Sequence, residues 1–221
     1  MSETPYVTGA ARPWAPGRTI STSALLGQVM FLVALAVGFA ALGSVIGKDL
    51  SFSTARALSF AGFGMLLVSS FAGERFRVGG FAMGWLFATA LVIGLGLGPW
   101  MSASLEWDPK SFTAALAGTG LTVLGMGAAG FALSKDLARW MRPLSLVVLG
   151  LVLVSIVLVV FSIAPSPIVA LAIYGFSAAL ILVDFNYLRK HGTEDDAIML
   201  ATGIFVSIVN IFTSLLSLFQ R

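Results

Sequence analysis

The chain has 221 residues, of which 58% are hydrophobic and only 10% charged, with a net charge of +3 and a mean hydropathy of +0.98. A soluble domain carries about 25% charged residues, so this composition marks an integral membrane protein built from apolar runs of the roughly 20 residues that cross a bilayer. Cysteine is absent and histidine occurs once. That excludes disulfides, cysteine-rich zinc sites and iron–sulfur clusters, and the basic excess sits in loops, where it reports membrane orientation rather than nucleic-acid binding.

In chain order, residues 1–23 form the first unit. The run MSETPYVTGAARPWAPGRTIST contains three prolines, almost no aliphatic residues and no helical period, which predicts a disordered cytoplasmic tail. Residues 24–221 form the second unit, an all-α bundle of seven spans at 24–46, 55–72, 79–101, 111–133, 144–163, 168–188 and 198–219. The breaks GKDLSFST, GERFRV, SASLEWDPK, SKDLARWMRP, APSP and RKHGTEDDA collect charge, proline and glycine where backbone can reach water. All the connections are short and no internal repeat is visible, so the spans belong to one bundle.

The third span carries Gly80 with Gly84, and Gly94 with Gly98, at the spacing that lets helix backbones approach closely in lipid. Pro99 is expected to end that span. The run GLGLGP at 94–99 has the glycines of a phosphate loop without the preceding strand such a loop requires. In the last span Gly203, Ser207, Asn210, Ser214 and Ser217 recur at helical spacing, a stripe expected to face the bundle.

Orientation follows from the loops. The tail and the second, fourth and sixth loops hold Arg12, Arg18, Arg75, Arg77, Lys135, Arg139, Arg142, Arg189 and Lys190, nine basic residues, against four on the other side, Lys48, Arg56, Lys110 and Arg221. This puts the N-terminus in the cytoplasm and the C-terminus on the far side of the membrane. Trp100 and Trp107 then fall at the outer interface, Trp85 and Trp140 at the inner one.

Asp184 is the conspicuous residue, because an acid inside a span is costly and is by default a functional-site candidate. It precedes Arg189 by about 7.5 Å of helix rise, near the inner headgroups. Two roles are open: a structural anchor, hydrogen-bonded within the bundle or paired with Arg75 or Arg77 of the second loop, or part of an ion path with Ser207 and Asn210. Catalytic motifs are missing, so no enzyme activity or cofactor is expected. Glu194, Asp195 and Asp196 read as a solvated turn rather than a metal site.

The segment HGTEDDAIMLATGIFVSIVNIFTSLLSLF, preceded by the Asp184 span, together with FATALVIGLGLGP and FALSKDL, resembles the Bax inhibitor family, and most closely its bacterial YccA-type branch, from about residue 24 onward. In channel-like members of that family the resemblance implies an acid in the sixth span paired with another in the seventh, a proton-sensitive pair that gates a calcium leak. Asp184 matches the first acid, and Ser207 stands at the second. Without a second carboxylate, the like-charge coupling of such a dyad is not available. Channel members also use an arginine in the second span; here Arg56 lies at that span's outer end. For the YccA branch, the resemblance implies a regulator of membrane-protein quality control that binds and restrains FtsH, an ATP-driven membrane protease. Fully extended, a tail of 22 residues reaches about 75 Å, enough to enter a cytoplasmic protease. The expected function is therefore that of an FtsH modulator, with a pH-sensitive calcium or cation leak as the alternative.

Overall fold

A computed structural model describes residues 21–71, 73–160 and 166–220; the tail as far as residue 20, and Arg221, lie outside that range. Among the described residues the chain forms seven helices long and apolar enough to cross a membrane: α1 (Thr22–Gly47), α2 (Phe52–Phe71), α3 (Gly79–Trp107), α4 (Pro109–Ala132), α5 (Ala138–Val160), α6 (Pro167–Lys190) and α7 (Ala197–Phe219). Short 3-10 turns at Glu74–Phe76 and Glu194–Asp196 lead into α3 and α7.

Local chemistry explains where several helices begin. Ser21 caps α1 by accepting the Ala24 N–H at 3.3 Å, and Asp108 caps α4 by accepting that of Ser111 at 3.1 Å, each satisfying one orphan donor of a first turn. Proline opens α4 and α6, where its missing N–H costs nothing. Ahead of α7, Asp196 Oδ2 accepts from both the backbone N–H and the hydroxyl of Thr193. The acids at 194–196 thus take part in a capping box.

Two helices run further than the sequence predicts. Pro99 does not end α3, which continues to Trp107, and α5 begins at Ala138 with Pro143 inside it. A proline removes one backbone hydrogen bond and can kink the helix, but in a membrane-spanning helix packed neighbours and hydroxyls support the freed backbone. Pro99 is buried, and the carbonyl it frees, that of Leu95 four residues back, lies against Gly47 of α1.

The glycine spacing is half borne out. A Cβ on Gly94 would overlap the Ala40 carbonyl, and one on Gly98 would sit 2.6 Å from the carbonyl carbon of Gly47. Gly43 and Gly47 of α1 return the fit, meeting the backbone at Leu91 and Leu95. By contrast, nothing lies within 4 Å of a Cβ on Gly80 or Gly84, because that part of the helix face turns away from its neighbours. Sequence spacing cannot tell these two pairs apart.

The centre of the bundle is α7. It packs on α1, α4 and α6 and buries Leu200, Ile204, Phe205, Ile211 and Leu216. Helix α5 packs mainly on α6 and exposes Leu146, Val154 and Val157, an apolar face suited to lipid.

Candidate functional site

The second half of α6 carries two buried polar side chains with opposite surroundings. Asn186 is fully buried. Its Oδ1 accepts the Leu137 N–H at 2.9 Å, while Nδ2 donates toward the carbonyls of Gly130, Leu133 and Lys135 at 3.1, 3.2 and 3.1 Å. One side chain therefore ties α6 to the end of α4 and to the whole α4–α5 connection. The next residues tighten the grip: Arg189 and Lys190 donate to the carbonyls of Leu133 and Ser134, and His191 Nε2 meets Asp136 Oδ2 at 2.7 Å. The Asp136 carboxyl is held below the ordinary carboxylate range, first by the Ala138 N–H and then by His191. Lys135, Asp136 and Arg139 line a shallow cleft of about 300 Å³ on the outside of this clasp.

Asp184 lies two residues earlier and faces α7 instead. It is only 5% exposed. A Cβ on Gly203 would stand 3.2 Å from its Oδ2, so the glycine leaves the room that the carboxylate occupies. Among the described residues no hydrogen bond or ion pair reaches Asp184, and the His191–Asp136 contact is the one salt bridge.

The structure does not bring Arg75 or Arg77 to this acid. Arg75 lies over the Phe81 ring, 5.0 Å from its centroid. The reason is topological: the turn that carries Arg75 packs on α3, and α3 packs chiefly on α1 and α2, whereas α6 is surrounded by α4, α5, α7 and α1. Arg189, the basic residue five positions beyond the acid on α6, is engaged with the α4–α5 connection.

The predicted stripe on α7 does face inward. Ser207 and Ser214 are buried and Gly203 meets Asp184. Asn210 is half-buried with its Nδ2 enclosed and unpartnered. Gly203 is level with the acid, and Ser207 is one turn further along α7, so a carboxylate at 207 would not stand directly opposite Asp184. Asn186 was missed by charge-led reading. Its signal was present, an amide two residues from the acid and just ahead of the basic end of α6, but its partners are backbone groups some 50 residues away that sequence spacing does not reveal.

Comparison with known proteins agrees with this architecture. A curated relative, an uncharacterized membrane protein of Vibrio cholerae serotype O1, is 26% identical over 209 residues, covering 91% of each chain. The family profile described as "Inhibitor of apoptosis-promoting Bax1" matches residues 22–221, the entire seven-helix bundle. The chain therefore belongs to the Bax inhibitor family of multi-pass membrane proteins.

Proposed function

We propose that the protein is a proton-sensitive cation leak path of the Bax inhibitor type, with calcium the first cation to test, closed in the packing described above and gated by Asp184 between α6 and α7. The observation that supports it is a buried carboxylate with no basic partner and no hydrogen bond among the described residues, set against a helix face of glycine, serine and asparagine. An ionised carboxylate in such surroundings is costly unless water, a donor or a cation reaches it. Ionisation of Asp184 thus favours an arrangement in which α6 and α7 admit one of these. Because Asn186 supplies the anchoring bonds, Asp184 is not required for them. With serine at 207, the response is that of one acid rather than a coupled pair.

The test is calcium entry into liposomes holding the purified full chain, measured across a pH series for the wild type and Asp184→Asn. A flux whose pH dependence disappears in the variant is expected. Absence of flux, or an identical pH profile in both proteins, overturns the reading.

A second reading, modulation of FtsH in membrane-protein quality control, draws support from residues 1–22 with Pro5, Pro13 and Pro16 and from the serine and asparagine that α7 shares with the YccA branch. It requires a bacterial inner membrane, a cytoplasmic N-terminus and a tail, residues 1–23, ahead of the bundle at 24–221; the nine-to-four asymmetry of basic residues supports that orientation. Co-purification of FtsH with the full chain, lost when residues 2–20 are deleted, is the expected result. An impermeant thiol reagent that reaches cysteine at Ser217→Cys only after lysis would reverse the orientation.

A further inference from the structure

We infer that a file of buried water runs along the α6–α7 seam from the end of α7 to Asp184, held by Ser177 and Asn210. The inference rests on the proposed role of Asp184 as the titrating group and adds the route by which protons reach it.

Eight polar or charged side chains are buried among the described residues. Four are satisfied: Thr89 and Thr119 donate to the carbonyls four residues back, Ser104 donates to Gln220 Oε1, and Asn186 makes its clasp. The other four, Ser177, Asp184, Ser207 and Ser214, bond no described residue, and all lie on α6 or α7. Buried polar groups in native proteins are almost always bonded, and an exception calls for an ion or a water. A helix also offers every serine and threonine the carbonyl four residues back. Thr202 and Thr213 of α7 take it, at 2.7 and 2.9 Å, whereas the three serines do not.

These unbonded groups share one seam. Helices α6 and α7 are antiparallel, joined by the short 191–196 connection, and Asp184 is level with Gly203. Seven residues are nearly two helical turns, so a step of seven stays on the same face and advances roughly 10 Å. From Asp184 that step back along α6 reaches Ser177. From Gly203 the same step forward along α7 reaches Asn210. The register therefore places Ser177 Oγ and Asn210 Nδ2 at one level on facing helices, and among the described residues these two side-chain atoms are wholly enclosed and bond nothing. A hydroxyl and an amide N–H supply both acceptor and donor, the two or more polar partners that a buried water needs.

The seam is also one-sided. Ser207 lies between the Ser177–Asn210 level and Asp184, and Ser214 continues toward the end of α7, where Ser104 meets Gln220 and the Ser111 hydroxyl donates to the Phe219 carbonyl. On the other side of Asp184, Leu188, Ala197, Leu200 and Ala201 are no more than 1% exposed, an apolar plug beneath the Asn186 clasp. Protons thus reach Asp184 from the end where α7 terminates. The charges on the packed elements lie at their ends: α1 and α7 carry no ionisable side chain, α3 carries Glu106 in its last turn, α4 carries Lys110 at its start, α5 carries Arg139 and Arg142 in its first two turns, and the turn ahead of α7 carries Glu194, Asp195 and Asp196. On α6 itself the titratable or charged groups are Tyr174, whose hydroxyl bonds that of Thr122 at 3.1 Å, Tyr187, next to the clasp, and Arg189 and Lys190, which are held by the carbonyls of Leu133 and Ser134.

Infrared spectroscopy of the full chain in nanodiscs, at a pH where the acid is protonated, reads the route directly. The carboxylic C=O band of Asp184 is assigned by its loss in Asp184→Asn, and its shift on transfer to D2O times hydrogen exchange. Ser177→Val and Asn210→Leu are expected to slow that exchange about tenfold or more, equivalent to roughly 1.4 kcal/mol of barrier, while Asn210→Ser retains it. Unchanged exchange in both apolar variants overturns the inference. Radiolytic hydroxyl labelling of the wild type, which marks side chains beside bound water, gives an arm that needs no variant. Label at the Ser177–Asn210 level supports the file, and a seam as unlabelled as the lipid-facing side of α5 overturns it. Neither measurement uses calcium, so a protein that passes none still answers, and its failure is then that of the leak reading alone.

Discussion

The α1–α3 and α6–α7 pairs both bring a glycine-bearing face against a neighbour, yet they are built on opposite principles. In the first pair Gly43 and Gly47 meet Gly94 and Gly98, and main chain lies against main chain with no room for a Cβ. Nothing there titrates. In the second pair Gly203 makes room for a carboxylate, and the hydroxyls of Ser177, Ser207 and Ser214 bond no partner among the described residues. Small residues in a membrane bundle thus serve two ends: close packing where both helices are small, and space for a polar group where only one is. The first arrangement resists movement, and the second permits it.

The sharpest way to break this contrast is to fill the dry pair. Gly94→Val or Gly98→Val would drive side-chain carbons into the backbone of α1, which cannot yield as a flexible side chain would. The expected loss is about 3 kcal/mol or more, seen as a fall in the detergent melting temperature or as failure to fold. Gly80→Ala, at an open position of the same helix, should instead be neutral or stabilising by about 0.5–1 kcal/mol. Equal damage at positions 80 and 94 would refute the assignment of the contact.

Next in size is the clasp. Asn186→Leu removes four hydrogen bonds and strands buried backbone groups, for an expected loss of about 3 kcal/mol, with faster hydrogen exchange in residues 133–138. Its comparison with Asp184→Asn separates anchor from switch. Since Asp184 has no bond to lose among the described residues, the amide should leave the melting temperature unchanged or raised. Destabilisation by Asp184→Asn as large as that by Asn186→Leu would restore the anchor role once open to Asp184.

The smallest effect concerns the exposed end of the clasp. The Asp136 carboxyl is depressed by the Ala138 N–H and by His191, so its contribution is present above the ordinary carboxylate range and is lost as pH falls through its lowered value. Hydrogen exchange in the α4–α5 connection should therefore rise only in strongly acidic solution, and Asp136→Asn should weaken that acid dependence. The same rise near neutral pH would overturn the assignment to Asp136.

Composition and hydropathy sufficed for the class, the seven spans and the inward stripe on α7, because the bilayer demands long apolar runs and periodicity assigns a face. Caps at Ser21 and Asp108 were likewise local matters. The spans read at 79–101 and 144–163 each fall short of the helix at one end, since whether a proline stops a helix depends on what surrounds it. The fate of each glycine pair, the anchoring by Asn186 and the separation of Asp184 from Arg75 and Arg77 were decided only by tertiary structure. Each depends on which helices become neighbours and in what register, and a partner some 50 residues away leaves no mark on the spacing of a single helix. That an acid lies within a span is legible in the chain alone; that it pairs with none of the described residues follows from the bundle, because α6 packs among α4, α5, α7 and α1 rather than beside the turn that carries Arg75 and Arg77.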